Sequence, residues 1–147
     1  MKYSIVEKGP LWVVGIEVRT DNAHAAETIP PLWDRFYLEG IPQKLSGDMV
    51  GLYTDYEGDY TKPYTLVAGC VASTPLTPTE GMVIKEVPKA KFAKIVVEGS
   101  FPQSLMDAWE WVWEDNIERS YQNDFELYPG GFSPDSGAPM ELYIEVQ

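Results

Sequence analysis

The chain has 147 residues, of which 44% are hydrophobic and 13% aromatic; this composition predicts one folded domain with a substantial core and not a disordered chain. Its formal net charge of −12 excludes a surface for nucleic-acid phosphates, because such a surface needs clustered Lys and Arg, and the 11 basic residues here are dispersed. No apolar run reaches the length of a transmembrane helix and the N-terminus lacks a signal-peptide hydrophobic region, so we expect a cytoplasmic protein with no membrane partner.

Hydrophobic periodicity predicts four elements in the first half of the chain. They are a strand over about Leu11 to Thr20, a helix over about Pro30 to Glu39, and strands over about Val50 to Tyr56 and Tyr64 to Ser73. The helix is predicted to begin at its proline pair because proline is favoured in the first turn, where its missing amide hydrogen is not needed. Residues 73–81 are interpreted as an irregular connection to the second half.

The second half repeats the same kinds of element. It has strands over about Val83 to Val87 and Lys91 to Glu98, a helix over about Pro102 to Ser120, and strands over about Asp124 to Tyr128 and Glu141 to Val146. Ser100 and Gln103 have the spacing of a capping box, which predicts the start of the second helix.

Each half therefore contains strand, helix, strand and strand. We predict a single domain over residues 1–147, with half-modules at about 1–74 and 82–147. The predicted fold class is α+β: duplicated β-α-β-β modules form one antiparallel sheet, with two helices on one face. A groove between the modules would be a central ligand cleft.

One acid lies inside an aromatic strand, Phe125-Glu126-Leu127-Tyr128. Strand alternation places Phe125 and Leu127 on one face, and Asp124, Glu126 and Tyr128 on the other. A carboxylate among rings is costly to desolvate unless a positive charge neutralises it, so Glu126 indicates a cationic ligand. Burial without such a ligand would raise its pKa. The alternative is an ordinary solvent-facing strand residue, and the spacing alone leaves both open.

Seven aromatic residues are candidates for lining the cleft with this acid. Four of them recur at helical spacing on the two predicted helices, where most such rings belong to a core. Three are strand tyrosines, whose hydroxyl groups need partners if they are buried, so packing and cleft lining remain equal alternatives for them. The seven are Trp33, Phe36, Trp109 and Trp113 on the helices, and Tyr53, Tyr64 and Tyr143 on the strands.

No cofactor or metal site is predicted. Cys70 is the single cysteine and stands among small apolar residues, so we interpret it as a buried core residue. His24, the single histidine, is expected to be exposed near the first helix. The alternating acids Asp55, Glu57 and Asp59 lack the twelve-residue pattern of a calcium loop and are interpreted as solvated loop residues.

The order of short motifs along the chain resembles the GyrI-like small-molecule-binding superfamily. The motifs are Val14–Thr20 (VGIEVRT), Ile29–Phe36 (IPPLWDRF), Tyr60–Val71, Gly81-Met82, Val87–Ala93, Phe125–Tyr128 and Met140–Ile144. Together they extend over nearly the whole chain. One departure is Ala90, where the family often has glycine in a Pro-x-Gly turn.

Within this superfamily the chain is most similar to stand-alone integron-cassette effector-binding proteins and to the effector domains of multidrug-responsive transcription activators. The resemblance implies the duplicated fold and binding of lipophilic, often cationic, aromatic compounds. The family's ligand-contacting acid falls on Glu126. We expect no DNA-binding segment in this chain, so regulation would need a separate regulatory protein as partner.

Two other functions stay open. Some proteins of the superfamily resemble hydrolases of strained electrophiles, and Glu126 with a tyrosine such as Tyr143 could activate a water. The resemblance also extends to a gyrase-inhibiting protein, and an acidic surface can bind a basic protein partner. A binding role without catalysis is favoured because the sequence has no nucleophile-base pair.

Overall fold

The computed structural model describes residues 1–75, 77–78, 81–114, 116–130, 132 and 139–147. These residues form eight strands and three helices. In chain order they are β1 (Ser4–Lys8), β2 (Leu11–Thr20), α1 (Ala25–Leu38), α2 (Ile41–Lys44), β3 (Met49–Thr54), β4 (Tyr64–Ala72), β5 (Val83–Val87), β6 (Ala90–Val97), α3 (Gln103–Trp113), β7 (Arg119–Tyr128) and β8 (Met140–Val146). The connection predicted at 73–81 lies partly outside the described residues.

The strands form one antiparallel sheet in the order β1-β6-β8-β7-β3-β4-β2-β5. Strands β3 and β7 pair at its centre. On one side of this pair the order is β7-β8-β6, and on the other it is β3-β4-β2, so the two halves mirror each other in the order of the sheet. The predicted α+β fold of duplicated β-α-β-β modules in one antiparallel sheet is therefore confirmed.

Two further strands connect the halves. Strand β1 precedes the first module but pairs with β6 of the second, whereas β5 precedes the second module and pairs with β2 of the first. Strand β1 was not predicted, because its two apolar residues, Ile5 and Val6, are adjacent and give no alternation. Each half is thus completed by a strand from the other half.

The sheet must curl strongly because short connections join its opposite ends. Only Gly9-Pro10 separates β1 from β2, and only Pro88-Lys89 separates β5 from β6. In a flat sheet β5 and β6 would be about 29 Å apart, whereas two linking residues span roughly 11 Å at most. The two connections touch: a Cβ at Gly9 would lie 2.9 Å from Lys89 Cα. Gly9 also has a φ of +99°, which glycine adopts most readily.

One face of this curled sheet closes on itself. Its core comes from strands alone: Val13, Val50, Leu52, Val67, Val87, Phe92, Phe125 and Tyr143. These side chains are at most 1% exposed, although no helix residue of the described chain belongs to their cluster. Phe125 and Tyr143 stack here with ring centroids 4.6 Å apart. This face is sealed by the sheet itself.

The long helices cover the other face. Helix α1 packs through Leu32 and Phe36 on a cluster that includes Cys70, which is buried as expected. Helix α3 packs through Trp109 and Val112 on β6 and β8. None of the helices in the described part of the chain has the length and apolarity needed to cross a membrane.

Helix α1 begins five residues earlier than predicted. His24 is its N-cap, and the His24 carbonyl accepts the amides of Glu27 and Thr28. Pro30 and Pro31 therefore lie inside the helix, not in its first turn. Each removes one backbone hydrogen bond of the helix, and its ring crowds the carbonyl four residues earlier.

Helix α3 ends at Trp113 instead of Ser120. The Asn116 side-chain amide donates to the Trp111 carbonyl at 2.7 Å and satisfies a carbonyl of the last turn. Arg119 already pairs with Val146 in the sheet. The predicted capping box is also wrong, because Pro102 is the N-cap and no side chain among the described residues caps this end.

Candidate functional site

A cavity of about 590 Å³ lies between α1 and α3, above the central strands β3 and β7. Half of its lining residues are aromatic. The rings that line it are those of Trp33, Tyr37, Tyr53, Tyr56, Tyr60, Tyr64, Phe101, Trp109, Trp113, Tyr128 and Phe132. Glu126 and Arg119, both on β7, supply the charged groups among the lining residues described.

The Glu126 carboxylate is held by three neutral donors. Its Oε2 accepts the Tyr53 hydroxyl and the Trp109 indole N–H, both at 2.8 Å. Its Oε1 accepts the Tyr128 hydroxyl, also at 2.8 Å. Glu126 is only 3% exposed, and no ion pair joins it to a cation of the described chain. The solvent-facing interpretation of Glu126 is therefore wrong.

A glycine opposite Glu126 leaves room for its carboxylate. Gly51 on β3 is the register partner of Glu126 on β7. A Cβ at Gly51 would lie 3.1 Å from Glu126 Oε1 and 3.3 Å from Trp33 Cζ2. A larger residue at this position would therefore displace both the acid and one ring of the cavity wall.

Burial raises the pKa of Glu126 above its ordinary value, because desolvation disfavours the charged form. Hydrogen bonds from Trp109, Tyr128 and Tyr53 lower the pKa but do not outweigh the burial. Neutral donors stabilise a carboxylate without cancelling its charge. The site consequently holds an acid that would gain from a nearby positive charge.

Arg119 is part of a second buried network at the cavity wall. Its Nη2 donates to Asp124 Oδ2 at 2.8 Å, and the Tyr56 hydroxyl donates to the same oxygen at 2.7 Å. The Glu145 backbone amide donates to Asp124 Oδ1. Burial lowers the pKa of Arg119, but the Asp124 carboxylate together with Tyr56 and Tyr121 raises the pKa by more, so the guanidinium stays charged. Because Asp124 neutralises Arg119, Glu126 leaves the site with a net negative charge.

The structure brings together six of the eight residues that the sequence predicted for the site. They are Glu126, Trp33, Tyr53, Tyr64, Trp109 and Trp113. Phe36 instead packs in the core beneath α1, with its ring 5.2 Å from that of Trp33. Tyr143 lies on the sealed face of the sheet and donates its hydroxyl to Glu141, so it lies outside the cavity and cannot act with Glu126 on a water there. Ligand binding by the other six stays a prediction.

Sequence reasoning missed several lining residues. Tyr128 could have been found, because strand alternation placed it on the same face as Glu126. Arg119 could not, because it fell inside the region predicted as helix. Tyr56 and Tyr60 lie on the β3–β4 connection, where no periodicity in the sequence indicates which way a side chain points.

His24, Asp55 and Glu57 lie outside the cavity and have structural partners. His24 is exposed and its ring contacts Asp21. Asp55 pairs with Lys85, and Glu57 pairs with Arg19. These loop acids hold the β3–β4 connection by surface ion pairs.

Comparison with known proteins gives consistent matches along the chain. The sequence model of the Cass2 family, described as integron-associated effector binding protein, matches residues 4–146. The crystal structure of the integron cassette protein VCH_CASS2 from Vibrio cholerae is 31% identical, with a TM-score of 0.81 over 99% of this chain and 95% of that one.

Two more distant relatives are also similar. SAV2435, in a structure bound to tetraphenylphosphonium, shares the fold with 18% identity and a TM-score of 0.81 over 100% of this chain and 94% of that one. YobU of Bacillus subtilis, a proposed transcriptional regulator, is 23% identical over 146 residues, 90% of each chain. The family model, which matches nearly the whole length, and the similar cassette protein indicate the same family. The chain belongs to the Cass2 family of integron-associated effector-binding proteins.

Proposed function

We propose that this protein binds lipophilic aromatic cations in the cavity above Glu126. The observation that carries the proposal is a buried carboxylate at the base of an aromatic cavity, whose hydrogen bonds within the described residues all come from neutral donors. A cation about 4 Å from this carboxylate would gain on the order of 4 kcal/mol at an effective dielectric near 20. A delocalised organic cation also loses less hydration on entering the site than an ammonium group does.

The rings supply the rest of the affinity. A cation over the face of Trp or Tyr gains about 0.5 to 2 kcal/mol, and apolar area is buried besides. Such contacts tolerate different shapes, because every ring offers a similar face. The tetraphenylphosphonium complex of SAV2435, a protein of the same fold, supports this class of ligand. The role that follows is sensing or sequestering drug-like cations.

The test compares two ions of the same shape and opposite charge. Tetraphenylphosphonium and tetraphenylborate would be titrated separately at about 0.15 M salt, where distant surface charges are largely screened. Binding would be followed by tryptophan fluorescence and by calorimetry. We expect the cation to bind on the order of a hundredfold more tightly, because the anion would meet an unpaired carboxylate. Equal affinities for the two ions would refute the proposal.

Cation affinity is also expected to depend on pH. Because burial raises the pKa of Glu126 above its ordinary 4.5, the free site takes up a proton in a window above 4.5. A bound cation favours the carboxylate, so binding in that window must release the proton. Affinity for tetraphenylphosphonium should rise with pH and level off once the pH exceeds the pKa of the free site.

The raised pKa of Glu126 also determines how the stability of the fold changes with pH. Because Glu126 holds its proton more tightly in the folded chain than in the unfolded chain, its contribution to folding falls as the pH rises from 4.5 through the folded pKa.

Titrations of the protein with tetraphenylphosphonium at several pH values, with calorimetry in buffers of different ionisation enthalpy, measure the proton release on binding. A Glu126→Gln protein with the same pH profile would show that another group titrates.

A further inference from the structure

A second polar group borders the cavity without a complete set of partners. Arg119 is 6% exposed, lines the cavity and uses Nη2 for its bond to Asp124. Its Nε and Nη1 have no hydrogen-bond acceptor within the described residues and no contact with solvent. Buried N–H groups of this kind are normally paired, so the guanidinium is short of acceptors.

The surrounding rings do not fill this need. The Arg119 Cζ lies 4.3 Å from the centroid of Tyr121 and 5.9 Å from those of Tyr56 and Trp109. The faces of these rings attract the charge of the guanidinium through their π-systems. A ring face is a much weaker acceptor for an N–H group than an oxygen is, so Nε and Nη1 still lack a strong acceptor.

Charge is already balanced at Arg119. Asp124 is 0% exposed and forms a 2.8 Å ion pair with the guanidinium. An additional anion would face Asp124, and in the same cavity Glu126 as well. The missing partner is therefore best supplied by an uncharged oxygen acceptor.

Trp109 connects the two polar groups. Its indole N–H donates to Glu126, while its ring lies 5.9 Å from the Arg119 Cζ. A ligand that stacks along Trp109 would thus have the carboxylate near one part and the guanidinium near another. Tyr56, which lines the same region, donates its own hydroxyl to Asp124 and cannot donate that proton to a ligand as well.

Building on the cation binding proposed above, we propose that Arg119 donates a hydrogen bond to a neutral carbonyl-type oxygen of the ligand. The favoured ligands are then lipophilic cations that carry a ketone, ester or amide oxygen on the part remote from the positive charge. Binding involves a small turn of the guanidinium toward the cavity, with the Asp124 pair retained. Cations of purely hydrocarbon surface use Glu126 and the rings alone.

The experiment uses two matched phosphonium probes. One is triphenylphosphonium with a para-acetylphenyl group as the fourth substituent, and the other has a para-isopropylphenyl group of nearly the same shape. We expect the acetyl probe to bind the wild-type protein on the order of tenfold more tightly, since hydrogen bonds to charged groups are among the stronger ones. Without a donor at Arg119 the order should reverse, because the carbonyl would lose its hydrogen bonds to water and gain none from the protein.

The comparison protein is the double variant Arg119→Met with Asp124→Asn, which removes both charges together and leaves neither buried ion unpaired. The ratio of the two affinities should fall to one or below, whatever the change in the absolute affinities. A wild-type ratio of one or less, or a ratio unchanged in the double variant, would overturn this inference.

The outcome also separates this inference from the proposed function. If tetraphenylphosphonium fails to bind the wild-type protein, the cation-binding proposal itself fails. If it binds while the acetyl probe gains nothing, only the role of Arg119 is refuted. Glu126→Gln should weaken both probes and leave their ratio near the wild-type value.

Discussion

Replacing Glu126 by Gln is expected to weaken tetraphenylphosphonium binding by about tenfold or more, without weakening tetraphenylborate binding. The substitution keeps the shape of the side chain and removes its charge. Its carbonyl oxygen can still accept from Tyr53 and Trp109, as Oε2 does now. Its amide group can donate to the Tyr128 oxygen, whose hydroxyl is free to rotate. The cavity should therefore keep its shape.

Glu17→Gln is the matched control. Glu17 is an acid on β2 that lies 3.8 Å from Lys85 and does not line the cavity. This change lowers the net negative charge by the same amount, so any loss caused by overall charge would appear in it too. We expect less than about a twofold effect at physiological salt. If Glu126→Gln reduced the affinities for both tetraphenyl ions equally, the carboxylate would matter for packing and not for charge.

Arg119→Met is expected to destabilise the protein by about 3 to 5 kcal/mol, because it leaves the Asp124 carboxylate buried without its cation. Asp124 is 0% exposed, so solvent cannot replace the lost partner. Adding Asp124→Asn should recover most of this loss, since the amide retains the size of the side chain and removes the unpaired charge. Urea unfolding with a constant slope measures the free energies.

Arg35→Met provides the surface comparison. Arg35 on α1 pairs with Glu39, the C-cap of this helix, and both side chains are about half exposed, so the loss of Arg35 should cost at most about 1 kcal/mol. A similar cost for Arg119→Met would mean that the buried pair contributes no more than an exposed one. Failure of Asp124→Asn to recover stability would point to lost packing around Arg119 instead of an unpaired charge.

The sheet and its long helices were predictable from the sequence because their signals are local. Short apolar runs in β2, β4 and β8 and helical spacing in α1 and α3 are each carried by neighbouring residues. The element boundaries depended on contacts that sequence cannot show. His24 begins α1 through backbone hydrogen bonds, and the Asn116 side chain ends α3 before the predicted residue.

The site was predictable only where alternation and chemistry coincided. Glu126 could be identified because an acid among aromatic residues is unusual and its face followed from strand geometry. Tyr143 pairs with Phe125 and therefore points away from the face of Glu126. The sequence does not show this register, so Tyr143 could not be separated from the cavity residues. Arg119 and Asp124 meet across a register irregularity in β7, and no sequence period indicates such a contact.

The crossed pairing of β1 and β5 determines how the cavity can adapt to ligands of different size. A hinge opening of the two halves would have to break the β1–β6 or β2–β5 ladders. The two-residue connections are too short to let the halves separate while these ladders stay intact. The cavity therefore cannot open like a clamshell. Adjustment must come from rotamers of wall residues such as Met49 and Met106, whose unbranched chains deform at low cost. Selectivity among cations should accordingly vary gradually with ligand volume, up to a sharp limit set by the rigid sheet.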